Sequence, residues 1–448
     1  MSVHENLSVI NDQKIKEKNF VNHYLTFRQQ RGDRNTDPDT YSVGGELLSI
    51  GLRQSLKKGQ NLGTFIEACR ARLAQRIDEP EFLDLLEAMY FANDASGLFE
   101  VSPDFMLFKS GSSNSGNTKH VGEVLSGLLA ESRTSIQAGG NNVNFLEHEI
   151  LDEFKKIIDS FEPENKIASY LPFLADNFAK DFKLLCQYSG YMMHGLKAFI
   201  ALYNFLYSSQ LALNINSWKS EPESKPLFFI LDTEKASTER KQVRSAVQEL
   251  REKVADLFPM LSALEYLNQP DCKSATRYPL WAIRAYLQEC SSSDREDLVN
   301  RLSIFLENYR DSRKLSPWVD PIAASDEILN AILMTSKEIF SKPGSGQLTV
   351  KKKVVSAFEN EVARHFIQNR RRGGNVLTIN QDYLLLLTNL AVGSESRLQF
   401  QRLIEEFQAR GVWFDLQSQQ ALIEFYERVG NLERMSDSGD AVYVRKTI

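Results

Sequence analysis

The sequence predicts a mainly α-helical, multi-domain body closed by a small module of helices and one β-hairpin. Three observations predict it. Long stretches place apolar residues at steps of three and four, the spacing of helices with one buried face. β-Capable runs are few and short. The chain then closes on 432–445, where two such runs flank the turn Ser436-Asp437-Ser438-Gly439-Asp440, the pattern of a hairpin.

At 448 residues the chain has room for roughly two to four domains. Region 1–109 reads as helical, with helices expected at 62–76 and 81–93, the second opened by Pro80 near its first turn. A Ser/Gly/Asn-rich segment follows at 110–144. It contains Gly111-Ser112-Ser113-Asn114-Ser115-Gly116-Asn117 and Gly139-Gly140-Asn141-Asn142, and is expected to be flexible.

The central region, 145–340, turns strongly helical. Ile150, Phe154, Ile157 and Phe161 fall on one stripe, and Pro163 and Pro172 break the helices that follow. The most apolar stretch, 196–213, carries Lys197, Asn204, Ser208, Ser209 and Gln210, so it reads as a buried core helix rather than a membrane span. Pro226-Leu227-Phe228-Phe229-Ile230-Leu231-Asp232 reads as a buried strand or a buried turn of helix, which places a short strand near 226–232. Helices are expected again at 237–267, 280–290, 294–309 and 325–340. Ser341-Lys342-Pro343-Gly344-Ser345-Gly346 marks a linker at 341–350, ahead of a last domain at 351–448.

That last domain opens with Lys351-Lys352-Lys353 and a helix expected near 354–368, which runs into Arg370-Arg371-Arg372-Gly373-Gly374. Tyr383-Leu384-Leu385-Leu386-Leu387 is the mark of a helix surrounded on all sides. Phe400, Leu403, Ile404 and Phe407 define the next. Leu422, Phe425, Tyr426 and Val429 define a third, with Asp415 as its N-cap. Three helices followed by a terminal hairpin describe a winged helix, a fold that holds nucleic acid or partner proteins.

The third helix would offer Gln417, Gln419 and Gln420 to adenine edges in a major groove. It also carries Glu424 and Glu427 against Arg428, whereas backbone contacts from cations supply most of the affinity of a groove reader. Both DNA reading and protein docking are therefore open to it. Lys351, Lys352, Lys353, Arg370, Arg371 and Arg372 read either as a phosphate-contacting collar beside the module or as a solvated hinge. The net charge of −6 restricts any DNA contact to such a local patch.

Catalytic signals are weak. Gly111 to Thr118 matches phosphate-loop spacing, but Asn117 stands where the Lys that reaches the β- and γ-phosphates must be. Asp232 and Glu234 at a strand end are low-grade candidates for holding Mg²⁺ in a nuclease. The usual arrangement needs a Lys two residues after the Glu, and position 236 is Ala. Ser237 is the expected cap of the helix that follows. Neither His148 nor His194 sits in a ligand-like cluster. Cys69, Cys186, Cys272 and Cys290 are scattered and expected to be reduced. The polar N-terminus lacks a signal-peptide pattern, and a cytoplasmic protein without cofactor, metal or membrane contact is expected.

The runs Arg410-Gly411-Val412-Trp413-Phe414-Asp415-Leu416-Gln417-Ser418-Gln419-Gln420-Ala421-Leu422 and Ser436-Asp437-Ser438-Gly439-Asp440-Ala441-Val442-Tyr443-Val444-Arg445 resemble the DptG (DndG) family. Leu231-Asp232-Thr233-Glu234-Lys235-Ala236-Ser237 looks like its middle region. The resemblance implies a subunit of a DNA phosphorothioation-dependent restriction system, an anti-phage defence that attacks DNA lacking the sulfur mark. It implies DptF and DptH, the ATPase and helicase-like members, as partners, with double-stranded DNA engaged through the complex. No catalytic residue carries over. The expectation is a non-catalytic, DNA-engaging or assembly subunit; a metal-dependent nuclease subunit and a stand-alone winged-helix regulator are the alternatives.

Overall fold

A computed structural model describes residues 2–12, 15, 23–27, 38–77, 79–111, 116–130, 143–163, 166–237, 239–435 and 441–448. Parts of the Ser/Gly/Asn-rich segment (112–115 and 131–142) and the hairpin turn 436–440 lie outside them.

The body is mainly helical. Its first part holds α1 (Val3–Ser8), α2 (Thr40–Leu52), α3 (Leu62–Leu73), α4 (Pro80–Tyr90), α5 (Ala92–Val101), α6 (Gly116–Ala130) and α7 (Phe145–Lys156). Two short strands, β1 (Gln54–Leu56) and β2 (Ile158–Ser160), pair antiparallel. They correct the expected stripe. Helix α7 buries Ile150 and Phe154, but Ile157 leaves helical geometry and Phe161 donates its N–H to the Arg53 carbonyl at 3.0 Å. Pairing with β1 ends the helix before Phe161 can join its face.

The middle holds α8 (Pro172–Gln187), α9 (Ser189–Ile215), α10 (Lys241–Leu267), α11 (Leu280–Glu289), α12 (Ser292–Ser312) and α13 (Ser325–Ile339). Helix α9 is the expected buried core helix, and Gln210 and Asn204 among its polar residues find partners. Gln210 accepts from Lys225 N–H at 2.9 Å and donates to the Lys225 carbonyl at 2.8 Å, while Asn204 accepts from the Thr26 hydroxyl at 2.5 Å. Among the described residues no helix is long and apolar enough to cross a membrane. All four cysteines are free thiols.

Helix α10 starts at Lys241 rather than at 237, and Ser237 does not cap it. The intervening Arg240 occupies the N-cap position; its guanidinium has no acceptor for the first-turn N–H groups and reaches across to acidic partners described below. The expected linker also differs. Ser345 caps α14 (Gly346–Ala357) by accepting from Leu348 N–H at 3.0 Å, so the helix starts early and absorbs the last linker residues. It ends in a π-turn (Phe358–Val362) and is followed by strand β4 (Ile367–Asn369) instead of continuing to 368.

A four-stranded sheet joins the middle of the chain to its C-terminal region. Its central strands are β3 (Phe228–Leu231) and β5 (Asn375–Ile379), which run parallel with Phe229 opposite Leu377 and Leu231 opposite Ile379. Strand β4 lies antiparallel outside β5, and β7 (Trp413–Phe414) lies parallel outside β3. Both faces of β3 and β5 are covered. Phe229, Leu231, Leu377 and Ile379 join the main core, while Ile230 and Val376 pack with Val243 of α10 on the other side. Burial on both faces explains why β3 reads as an unbroken apolar run. The sheet thus spans the boundary expected at 341–350.

The closing residues form α15 (Gln381–Val392), strand β6 (Arg397–Gln399), α16 (Phe400–Ala409), α17 (Leu416–Val429) and strands β8 (Leu432–Met435) and β9 (Ala441–Arg445). Strand β9 lies between β6 and β8, antiparallel to both, in a small three-stranded sheet. Asp415 caps α17 as expected, accepting from Ser418 N–H at 2.9 Å. Leu422, Phe425 and Tyr426 are buried; Val429 is half-buried.

Candidate nucleic-acid interface

Two buried ion-pair networks fasten the C-terminal elements to the body. In the first, Arg240 makes a two-pronged bond to Asp415: Nε donates to Oδ2 at 2.7 Å and Nη2 to Oδ1 at 2.6 Å. Its Nη1 donates to Glu234 at 2.8 Å, and Ser418 Oγ donates to the same carboxylate at 2.9 Å. Burial opposes the charges at both ends. The carboxylates outweigh it and hold the Arg240 pKa above its usual value, while the Arg240 and Ser418 bonds hold Asp415 below the ordinary carboxylate range. In the second, Arg410, beyond α16, donates to both oxygens of Asp181 on α8 at 2.8 and 2.7 Å, with Tyr203 O–H a further donor. Gly411 follows with a positive φ of 88°, and a side chain there would strike Gln210.

These anchors decide what the expected site residues can do. Glu234 is engaged by Arg240, by Ser418 and by the Leu231 N–H at 2.7 Å, so its oxygens face protein donors. The Asp232 carbonyl accepts from Arg370 Nη2 at 2.5 Å. Among the described residues no group of three or more His, Cys, Asp or Glu side chains stands at metal-holding geometry.

The basic run 370–372 forms the turn of the β4–β5 hairpin. Arg371 takes a positive φ of 51°, its N–H bonded to Asn369 Oδ1 at 2.9 Å, and its side chain is exposed. The Arg372 side chain lies outside the described part. This turn meets the first three turns of α10 across a groove of about 640 Å³. Lys241, Arg244, Gln248, Arg251 and Glu252 form one wall, with Gly373, Gly374 and Asn375 opposite. Arg251 is paired with Glu359. Lys241 and Arg244 have no side-chain hydrogen bond or ion pair among the described residues, so their charges are open to an anion.

Lys241 also borders a second groove, of about 650 Å³, beside the edge strand β7. Phe228, Trp413, Gln242, Gln408, Gln417 and Gln419 line it, together with Glu239 and the mutually neutralised Arg240 and Asp415. Phe228 and Trp413 are both half-buried, with ring centroids 6.2 Å apart.

The other expected residues lie elsewhere. Lys351 pairs with Asp256 at 3.7 Å, about 22 Å along α10 from Lys241 at the helical rise per residue, while Lys352 and Lys353 are exposed. On α17, Gln419 donates to the Phe414 carbonyl at 3.0 Å, and Gln417 and Gln420 are exposed. Arg428 lies 5.7 Å from the centre of the Phe425 ring and borders neither groove. Sequence reasoning missed Lys241, Arg244, Phe228 and Trp413. The first two were legible as i and i+3 neighbours on a helix; the aromatic pair meets only through a strand contact between residues far apart in the chain. No protein-family model matches the chain, and no curated protein matches it either.

Proposed function

We propose that this chain is a non-catalytic subunit that engages nucleic acid within a DNA-restriction assembly of the phosphorothioation-dependent kind, beside DptF- and DptH-like ATPase partners. The observation that carries the nucleic-acid part is the basic groove between α10 and the 370–374 turn, where Lys241 and Arg244 have no acidic partner among the described residues. Cations left unpaired in a chain of net charge −6 mark a local site for phosphate. The restriction setting is supported by the resemblance of the closing residues.

The winged-helix reading is supported by the order helix, strand, helix, helix, hairpin across α15, β6, α16, α17, β8 and β9, with β9 central. Within this reading α17 is a docked element rather than a groove reader. Its first turn is tied to the body through Asp415 and the buried Ser418, and Gln419 is occupied. Phosphate contact is therefore assigned to the groove. Truncation at 375 is a poor test, since it strips β5 and β7 from the central sheet.

The test is DNA binding by the full chain as salt is varied. Lys241→Ala with Arg244→Ala should weaken binding to a 30-base-pair duplex across sequences and flatten the log–log salt slope by up to about two. Absence of binding to any nucleic acid, alone or with its ATPase partners, overturns the proposal.

A further inference from the structure

The two grooves that meet at Lys241 differ in chemistry. The α10 groove carries Lys241, Arg244 and Arg251 against Glu252 and includes the Gly373-Gly374 backbone. The β7 groove holds two part-exposed aromatic rings and the amides of Gln242, Gln408 and Gln417. Its ionised wall residues are Lys241 and Glu239 plus the Arg240–Asp415 pair. A strand with its bases turned outward presents this same division, a charged backbone on one side and flat apolar faces with amide-like edges on the other. A duplex conceals those faces within its stack, so the Phe228–Trp413 pair would have nothing to meet on it.

Resting on the nucleic-acid reading above, we propose that the preferred ligand of this band is single-stranded nucleic acid. Its phosphates lie along Lys241 and Arg244, and an unstacked base packs on Phe228 and Trp413. Base stacking on aromatic rings tolerates any sequence, because every base has a π-face. Gln417, exposed at the start of α17, is placed to meet base edges without imposing a strict code.

The test measures binding of a 20-nucleotide oligo(dT) and of a duplex of equal length to the full chain, by anisotropy and by quenching of tryptophan fluorescence. Oligo(dT) should bind at least several-fold more tightly than the duplex and quench the protein. Trp413→Phe, which keeps a ring in place, should bind nearly as well and lose the quench. Trp413→Leu should weaken oligo(dT) binding about tenfold. Should that variant perturb the sheet edge, Lys241→Ala with Arg244→Ala still reads the surface alone and should flatten the single-strand salt slope by about 1.4. Duplex binding without oligo(dT) binding overturns this inference and leaves the proposed function standing. Oligo(dT) binding without quenching removes the aromatic platform. Binding of neither overturns this inference, and the proposed function falls with it if the ATPase partners restore no binding.

Discussion

Arg240 and Asp415, which lie at the starts of two helices, share a two-pronged hydrogen bond at 2.7 and 2.6 Å. Arg240, whose guanidinium can only donate, stands at the N-cap position of α10 without capping it, and Asp415 caps α17 with the carboxylate that takes this bond. One guanidinium therefore fixes where the central helix starts and where the third helix of the closing module sits. Both grooves inherit their shape from this join, since Lys241 follows Arg240 directly.

Replacing Arg240 by Met should leave Glu234 and Asp415 facing each other without a cation. A loss of about 3–5 kcal/mol is expected in urea unfolding, as for other buried pairs broken on one side. Because the Asp415 pKa is depressed in the fold, its contribution is complete above its unfolded value near 3.8 and is lost as pH falls through the lower folded value. Asp415→Asn should flatten the acid limb of the stability profile. An unchanged unfolding midpoint in Arg240→Met would show that the join is dispensable.

The Arg410–Asp181 pair makes a parallel case deeper in the protein. Its side chains are 3% and 1% exposed. Asp181→Asn keeps the shape but leaves Arg410 without its countercharge, so a loss of about 3 kcal/mol or more is expected. Tyr203→Phe removes one bond to the same carboxylate and should cost about 1–2 kcal/mol. Thermal unfolding of the three proteins orders them; equal midpoints would contradict the account.

Much of the helical body was legible because buried faces repeat at 3.6 residues. The helices at 280–290 and 325–340 and the faces of α15 to α17 needed no other information. Pairing between distant segments was not legible. The run at 228–231 announces a strand buried on both faces, yet nothing in it names 375–379 and 413–414 as its partners. For the same reason the basic turn at 370–372 could be seen, but not the α10 wall opposite it. Nor does anything near Arg240 in sequence point to Asp415, 175 residues away, as its partner.

Helix α6 passes close to α2 at Gly122, where an added methyl would collide with the Glu46 carboxylate. Burial, then the nearby Glu123, raises the Glu46 pKa to about 7. A raised carboxyl pKa means the folded protein binds the proton more tightly than the unfolded chain. Stability should therefore fall as pH rises from about 4.5 to 7 on account of this group. Glu46→Gln should remove that slope and stabilise the protein at pH 8 by about 2 kcal/mol, less than the whole shift because enclosure is incomplete. Parallel pH profiles for the two proteins would locate the titration elsewhere.

Asp232 and Glu234 separate the nuclease alternative from a structural role. Three protein donors already converge on Glu234, from Leu231, Arg240 and Ser418. For a metal to use this carboxylate, Arg240 would have to leave, and its other partner, Asp415, would lose the cation that depresses its pKa. Glu234→Ala should therefore destabilise the fold by about 2–4 kcal/mol, and Mg²⁺ should not alter the unfolding midpoint of the parent protein. Asp232 engages Arg370 through its main-chain carbonyl, so Asp232→Ala should change stability by less than about 0.5 kcal/mol. DNA cleavage by an assembly containing Asp232→Ala should match the parent. Loss of cleavage with assembly intact would return Asp232 to the active site and make this chain the nuclease.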